Sequence, residues 1–190
     1  IYNPVVTPDL FAKVEEPLNH PWFAAGEPPI ILGVGRLTKQ KDFATLINAF
    51  CLLRKEQAAR LMILGEGEDR SALEDLIKKL DLQEDVSLPG FVDNPFKYMK
   101  RAAVFVLSSR WEGLPNTLIQ AMALGTPVVS TDCPSGPAEI LEGGKWGKLV
   151  PVGDANAMAQ AILSTLSGQE VKMGFQNRAL KFTIERITKY

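Results

Sequence analysis

The sequence has one histidine, two cysteines and no long block of charge of one sign. The cysteines, Cys51 and Cys133, are far apart and form no CxxC pair. They are expected to be free thiols in a reducing compartment, and the chain cytoplasmic. A net charge of −1 with no basic block argues against a nucleic-acid-binding arm and against a polybasic membrane anchor. It leaves room for a small local basic site. No apolar run approaches the roughly 20 residues of a membrane helix. The first residues, "IYNPVVTPDLF", lack the charged and apolar regions of a signal peptide. The chain begins without Met, so it is expected to be a piece of something longer. The lone His20 reads as a surface or packing residue.

The composition is that of a soluble globular domain: 190 residues, 46% hydrophobic and 23% charged. Residues 1–29 carry six prolines and read as a loop-like linker segment with little regular structure. From residue 30 a rhythm sets in. "PIILGVG", "RLMILGEG", "DVSLPGF", "AVFVLSS", "TPVVSTD" and "GKLVPVGD" are short apolar runs without alternation, each followed by glycine or small polar residues. Between them lie helical patterns. One has Phe43, Leu46, Ile47, Phe50 and Leu53 at helical spacing, with Asp42 as candidate N-cap. This predicts an α/β fold, a doubly wound parallel sheet of about six strands with helices on both faces. The expected Rossmann-like unit spans 30–170, with a closing helix over 171–190.

Ligands of such sheets bind beyond the carboxyl ends of the strands. Candidate site residues therefore include Gly35, Arg36 and Lys41 after the first strand, Gly65 to Gly67 after the second, and Phe91 and Val92 after the third. Ser108 to Asn116 and Thr131 to Gly136 follow later strands. Arg36 and Lys41 could clamp a diphosphate, as a fork and a point charge, or be solvated loop charges. "GVG" is not a GxGxxG fingerprint, and "GVGRLTKQK" lacks P-loop spacing, so a dinucleotide cofactor or ATP hydrolysis has little support. Gly65 and Gly67 allow a flat ligand to approach the backbone, or simply make a turn. Pro115 marks the start of a helix running to about Leu124, whose free amides form an anion site. Glu112, just before it, could bind sugar hydroxyls or complement the helix dipole. Gln120 lies about one turn into the helix. It could reach a ligand there, or close a capping box with Thr117.

Gly35, Arg36, Lys41, Gly65, Gly67, Gly90, Phe91, Glu112 and Gly113, with the run Gly125 to Val129, resemble the C-terminal half of a retaining family 4 (group 1) glycosyltransferase of the GT-B fold. "IYNPV", "LVPVGDANAMAQAI" and "FTIERITKY" resemble the linker strand, a late strand and helix, and the closing helix of that half. The resemblance implies a site for a nucleotide-diphosphate sugar, with no metal or cofactor required. Arg36 and Lys41 would hold the diphosphate and neutralise the leaving group. Backbone amides near Leu114, Pro115, Asn116 and Thr117 would help. Glu112 would bind donor sugar hydroxyls, Gly113 would belong to the donor site, Gln120 would bind the ribose hydroxyls, and Phe91 and Val92 would meet the base through their backbone. Acceptor binding and any peripheral membrane contact would belong to an N-terminal half, so this chain alone is expected to bind donor without transferring sugar.

Two positions depart from the family pattern. Its paired acids are Glu-x7-Glu, but here the second is Gln120. Where the family has Gly after the phosphate-binding Lys, this chain has Asp42, whose carboxylate must point away from a diphosphate. "STDCPSGPAEIL" is similar to bacterial members that build surface polysaccharides, which points to a UDP-sugar. A nucleotide-sugar-binding module with impaired catalysis is the alternative, and a GT-B epimerase a third, less favoured reading.

Overall fold

The six apolar runs form six parallel strands: β1 (Ile30–Val34), β2 (Arg60–Leu64), β3 (Val86–Gly90), β4 (Val104–Leu107), β5 (Val128–Thr131) and β6 (Lys148–Val150). They make one sheet in the order β3-β2-β1-β4-β5-β6. The computed structural model describes residues 5–168 and 175–180. Within these the expected doubly wound, Rossmann-like architecture is present.

The strands read as continuous apolar runs because both faces of the sheet are covered. Side chains still alternate between faces, as a strand requires. Ile31, Ile63, Val104 and Val106 point into one core, against Leu46, Ile47 and Phe50 of α2 (Phe43–Leu53), Leu73 of α3 (Arg70–Lys79), and Met158 and Ile162 of α7 (Ala155–Leu166), which follows the one-turn α6 (Pro137–Ile140). Leu32, Met62, Phe105 and Leu107 point into the other. There they meet Leu10 of α1 (Pro8–Val14), Met99 of α4 (Phe96–Arg101), and Leu118 and Met122 of α5 (Asn116–Ala123). The five residues expected to form the apolar stripe of α2 are all buried. Each such side chain contributes roughly 1.5–3 kcal/mol by leaving water.

One expectation is corrected and one open alternative falls away. The linker segment is not loop-like throughout. It contains α1 and a 3-10 turn at Pro21–Phe23, and it buries Val5, Val6, Leu10 and Val14 in the core. Proline misleads here because it occupies the first turn of both elements, where its missing N–H has no helical partner to lose. Thr117 is not a helix cap either. The N-cap of α5 is Pro115, so Thr117 lies inside the first turn and makes no capping box with Gln120. The C-terminal end of α5 behaves as expected, with Gly125 at φ +82° closely following it. Of the expected closing segment, α8 (Phe175–Ala179) packs against α5, while "FTIERITKY" lies outside the described residues.

The chain leaves β1 toward one edge through β2 and β3, then returns to the other side of β1 as β4. That reversal opens a crevice above the carboxyl ends of β1 and β4. The loops carrying Arg36 and Lys41 (after β1) and Glu112 (after β4) are thereby neighbours.

Candidate functional site

Above β1 and β4 the two loops are laced together by hydrogen bonds. Lys41 Nζ donates to Glu112 Oε1 at 2.6 Å, and Ser109 Oγ donates to the same oxygen at 2.6 Å. The Glu112 side chain is only 6% exposed. Ser108 Oγ donates to the Lys41 carbonyl at 2.7 Å, the Arg110 amide to the Gln40 carbonyl at 2.8 Å, and Gln40 Nε2 to the Trp111 carbonyl at 3.0 Å. Thr131, at the end of β5, buttresses the second loop by donating from Oγ1 to the Ser109 carbonyl at 2.6 Å. Glu112 is thus tied to Lys41 and Ser109, whatever it contributes to the helix dipole. The lysine ammonium has three N–H donors and spends one on Glu112.

Asp42 explains how a carboxylate fits beside Lys41. It adopts the left-handed conformation, φ 47° and ψ 47°, and caps α2. Its carboxylate accepts from Thr45 Oγ1 at 2.9 Å and from Arg110 Nη1 at 3.1 Å. Glycine is at home in that conformation, and Asp is among the few other residues that visit it.

Beside this pair lies a cleft of about 440 Å³, lined by Val34, Gly35, Arg36, Leu64, Gly65, Glu66, Phe91, Val92 and Pro95. Residues singled out in the sequence at three separate strand ends therefore share one wall. The Lys41 stem runs over Gly35, where a Cβ would come within 3.3 Å of it. Phe91 is 74% exposed at the cleft. Glu66 is gripped by Arg70, whose Nε and Nη2 each donate at 2.7 Å, and this hydrogen bonding holds its carboxyl below the usual range.

Gly65 and Gly67 are required by loop-on-loop contact. A Cβ at Gly65 would lie 1.9 Å from the Gly35 carbonyl oxygen, and one at Gly67 would lie 2.3 Å from that of Leu37. The two loops are bonded there, through the Gly35 amide to the Leu64 carbonyl and the Leu37 amide to the Glu66 carbonyl.

At the start of α5 the set of amides is smaller than expected. Pro115 has no N–H, and the Asn116 amide is bonded to the Leu114 carbonyl at 2.9 Å. Leu114 and Thr117 remain as amides with no backbone acceptor among the described residues. Gly113 is exposed, and Gln120 is half-buried and does not line the cleft. His20 lies elsewhere, packed edge-on against Trp22 and Phe23, with Nδ1 accepting from the Trp22 amide. Among the described residues no three His, Cys, Asp or Glu side chains are grouped to hold a metal ion, and no helix is long and apolar enough to cross a membrane.

Sequence reasoning missed Gln40, and it gave Arg110, Ser108 and Ser109 no separate roles within their loop. A serine pair after an apolar strand was visible, but the bonds from this loop reach partners about 70 positions away and depend on strand order. Cys133 is buried, and burial pushes its thiol up, with Glu112 nearby acting the same way.

The family model of the glycosyl transferases group 1 matches residues 28–168. Among relatives, the N-acetylgalactosamine-N,N'-diacetylbacillosaminyl-diphospho-undecaprenol 4-alpha-N-acetylgalactosaminyltransferase of Campylobacter jejuni is 40% identical over 149 residues, 78% of this chain and 40% of that protein. The lipopolysaccharide core biosynthesis glycosyltransferase LpsE of Rhizobium meliloti is 32% identical over 167 residues, 85% of this chain and 48% of that protein. The chain thus spans less than half the length of these relatives. Among solved structures, the apo form of the lipopolysaccharide outer core galactosyltransferase WaaB superposes with a TM-score of 0.77 at 26% identity, over 87% of this chain and 48% of that one. A TarM mutant from S. aureus, in complex with Fondaparinux, alpha-GlcNAc-glycerol and UDP, gives 0.75 at 26% identity, over 91% and 34%. With the family model matching residues 28–168 and the WaaB structure superposing over 87% of its length, the chain belongs to the group 1 glycosyl transferases and carries a Rossmann-like domain of their GT-B fold.

Proposed function

We propose that this chain is the donor-binding, C-terminal half of a retaining family 4 glycosyltransferase, which takes a sugar from a nucleotide-diphosphate donor without a metal. The observation that carries this reading is one constellation at the switch point. Arg36 faces a 440 Å³ cleft, and the Lys41–Glu112 pair stands beside it across Gly35. The cleft receives the nucleoside, with Phe91 and Val92 beside the base. Arg36 and the two uncommitted N–H groups of Lys41 hold the diphosphate, helped by the Leu114 and Thr117 amides. As the glycosidic bond breaks, charge develops on the leaving phosphate, and fixed cations stabilise it without reorganising. Glu112, held by Lys41 and Ser109, offers its remaining acceptor sites to sugar hydroxyls.

UDP is the favoured nucleotide, supported by the UDP held in the TarM complex. The C. jejuni and R. meliloti relatives support an acceptor in surface polysaccharide or lipid-linked oligosaccharide synthesis. Acceptor recognition, and any peripheral contact with a membrane, falls to an N-terminal half, so this chain alone binds donor and does not transfer it. A binding module with impaired catalysis is the second reading, favoured by Gln120 where the family pattern has an acid.

Titration with UDP, GDP and ADP, followed by tryptophan fluorescence, tests the proposal. Trp111 is half exposed on the Glu112 loop and reports on the site. One diphosphate is expected to bind saturably, and Arg36→Ala to weaken it about tenfold or more. Binding of none at millimolar concentration, or binding indifferent to Arg36→Ala, would overturn it. Sugar transfer by a longer chain containing both halves separates the enzyme from the impaired module.

A further inference from the structure

We propose that Arg110 is a positioning residue for the diphosphate site, and that it acts by neutralising and turning away the carboxylate of Asp42. The inference rests on the donor-site reading above and adds a residue to it. Asp42 directly follows Lys41 in the chain, and its side chain is only 11% exposed, so water screens it poorly. The left-handed backbone at Asp42 aims its carboxylate along α2, where Thr45 binds it. Among the described residues the cation bonded to it is Arg110, at 3.1 Å from the neighbouring loop. Arg110 is itself placed by its amide on the Gln40 carbonyl, while Gln40 binds Trp111.

The local charge balance follows. In the two ion pairs that join the loops, Lys41 and Arg110 face Glu112 and Asp42, two cations against two carboxylates, while Lys39 and Asp69, one of each sign, line the hollow beside Asp42. Without Arg110 the paired set becomes one cation against two carboxylates, and an incoming diphosphate meets an Asp42 carboxylate held by Thr45 but no longer neutralised, beside its binding lysine. Because the Arg110 side chain is half exposed while Asp42 keeps its bond to Thr45, losing their contact is expected to cost less stability than losing the more buried Lys41–Glu112 contact. Its consequence is therefore expected in anion affinity.

The test is a double-mutant cycle on the 190-residue chain, titrated with UDP, GDP, ADP and inorganic pyrophosphate. Arg110→Ala is expected to weaken the bound diphosphate about fivefold at low salt. It should lower the unfolding midpoint by about 4 °C or less, and by less than Lys41→Ala does. Asp42→Asn keeps the cap and tolerates the left-handed backbone while removing the charge. In that background Arg110→Ala is expected to cost less than about twofold, since the carboxylate it screens is gone. If Arg110→Ala costs the same in the Asp42→Asn background as in the unmodified chain, Arg110 acts on the ligand directly and the inference is overturned. It is overturned also if Arg110→Ala leaves affinity unchanged while Arg36→Ala lowers it. Failure of the unmodified chain to bind any of these anions would instead remove the donor-site reading, and this inference with it.

Discussion

Lys41 Nζ and Glu112 Oε1 lie 2.6 Å apart, although 71 positions separate them in the chain. The residue proposed to hold the leaving phosphate and the residue proposed to hold the sugar are thus bonded to each other. Each orients the other, and the pair occupies the place where β1 and β4 lie side by side.

Removing the lysine leaves a nearly buried carboxylate with Ser109 as its remaining side-chain donor among the described residues. Lys41→Ala is therefore expected to destabilise the fold by about 2 kcal/mol, as for a lost hydrogen bond to a charged group. It should also weaken diphosphate binding. Glu112→Gln, which keeps an acceptor and loses the charge, should destabilise less. Urea denaturation of the two variants checks the order, and equal losses would contradict it.

The glycines after β2 make a sharper prediction. Gly65→Ala would place a methyl 1.9 Å from the Gly35 carbonyl oxygen, a backbone atom that cannot move without separating the two loops. A loss of more than about 3 kcal/mol is expected, in the range of severe overpacking. Gly113→Ala meets nothing within 4 Å and should melt like the unmodified chain. Thermal unfolding followed by circular dichroism distinguishes them.

His20 gives a pH dependence. Burial, and then the charge of Arg60, hold its pKa below the usual histidine value of 6.5. The unfolded chain therefore takes up a proton at higher pH than the folded one. The associated stability is fully present above about pH 6.5 and is lost as pH falls through the folded-state value. Protonation also removes the Nδ1 lone pair that accepts from Trp22. Between about pH 7.5 and about pH 5.5, on either side of the histidine range, the unfolding midpoint should drop less in His20→Gln than in the unmodified chain.

Gln120 is one substitution away from the acid of the family pattern. On the donor-site proposal, with the ribose reaching out of the cleft over the start of α5, Gln120→Glu is expected to tighten UDP several-fold through a charge-assisted bond to the ribose. The gain should shrink for 2′-deoxy-UDP and vanish for pyrophosphate. An equal gain for pyrophosphate would place this residue away from the ribose.

Much of this site is legible in the sequence. Arg36, Gly65, Phe91 and Val92 stand out as residues following apolar strands, and all four line one cleft because strands of a parallel sheet end on the same side. The linker helix α1 is hidden by its prolines. The start of α5 falls at Pro115 as expected, but the capping partner does not, since Thr117 and Gln120 fit a local pattern that the helix begins too early to use. Asp42 is legible as a helix cap and as an anomaly beside Lys41. Its bond to Arg110 is not.

The sequence by itself determined the class of the fold and the residue types at each strand end. Both are local properties, written in apolar runs of strand length, helical spacing and the punctuation between them. What only the tertiary structure decided was pairing. Lys41 with Glu112, Asp42 with Arg110, and Gln40 with Trp111 all join residues 68 to 71 positions apart. Each exists because the crossover returns β4 to the free side of β1 and sets their two loops in register. A hydrogen bond depends on separations of a few tenths of an ångström, and such separations across about 70 residues follow from sheet order and packing, not from any short stretch of chain.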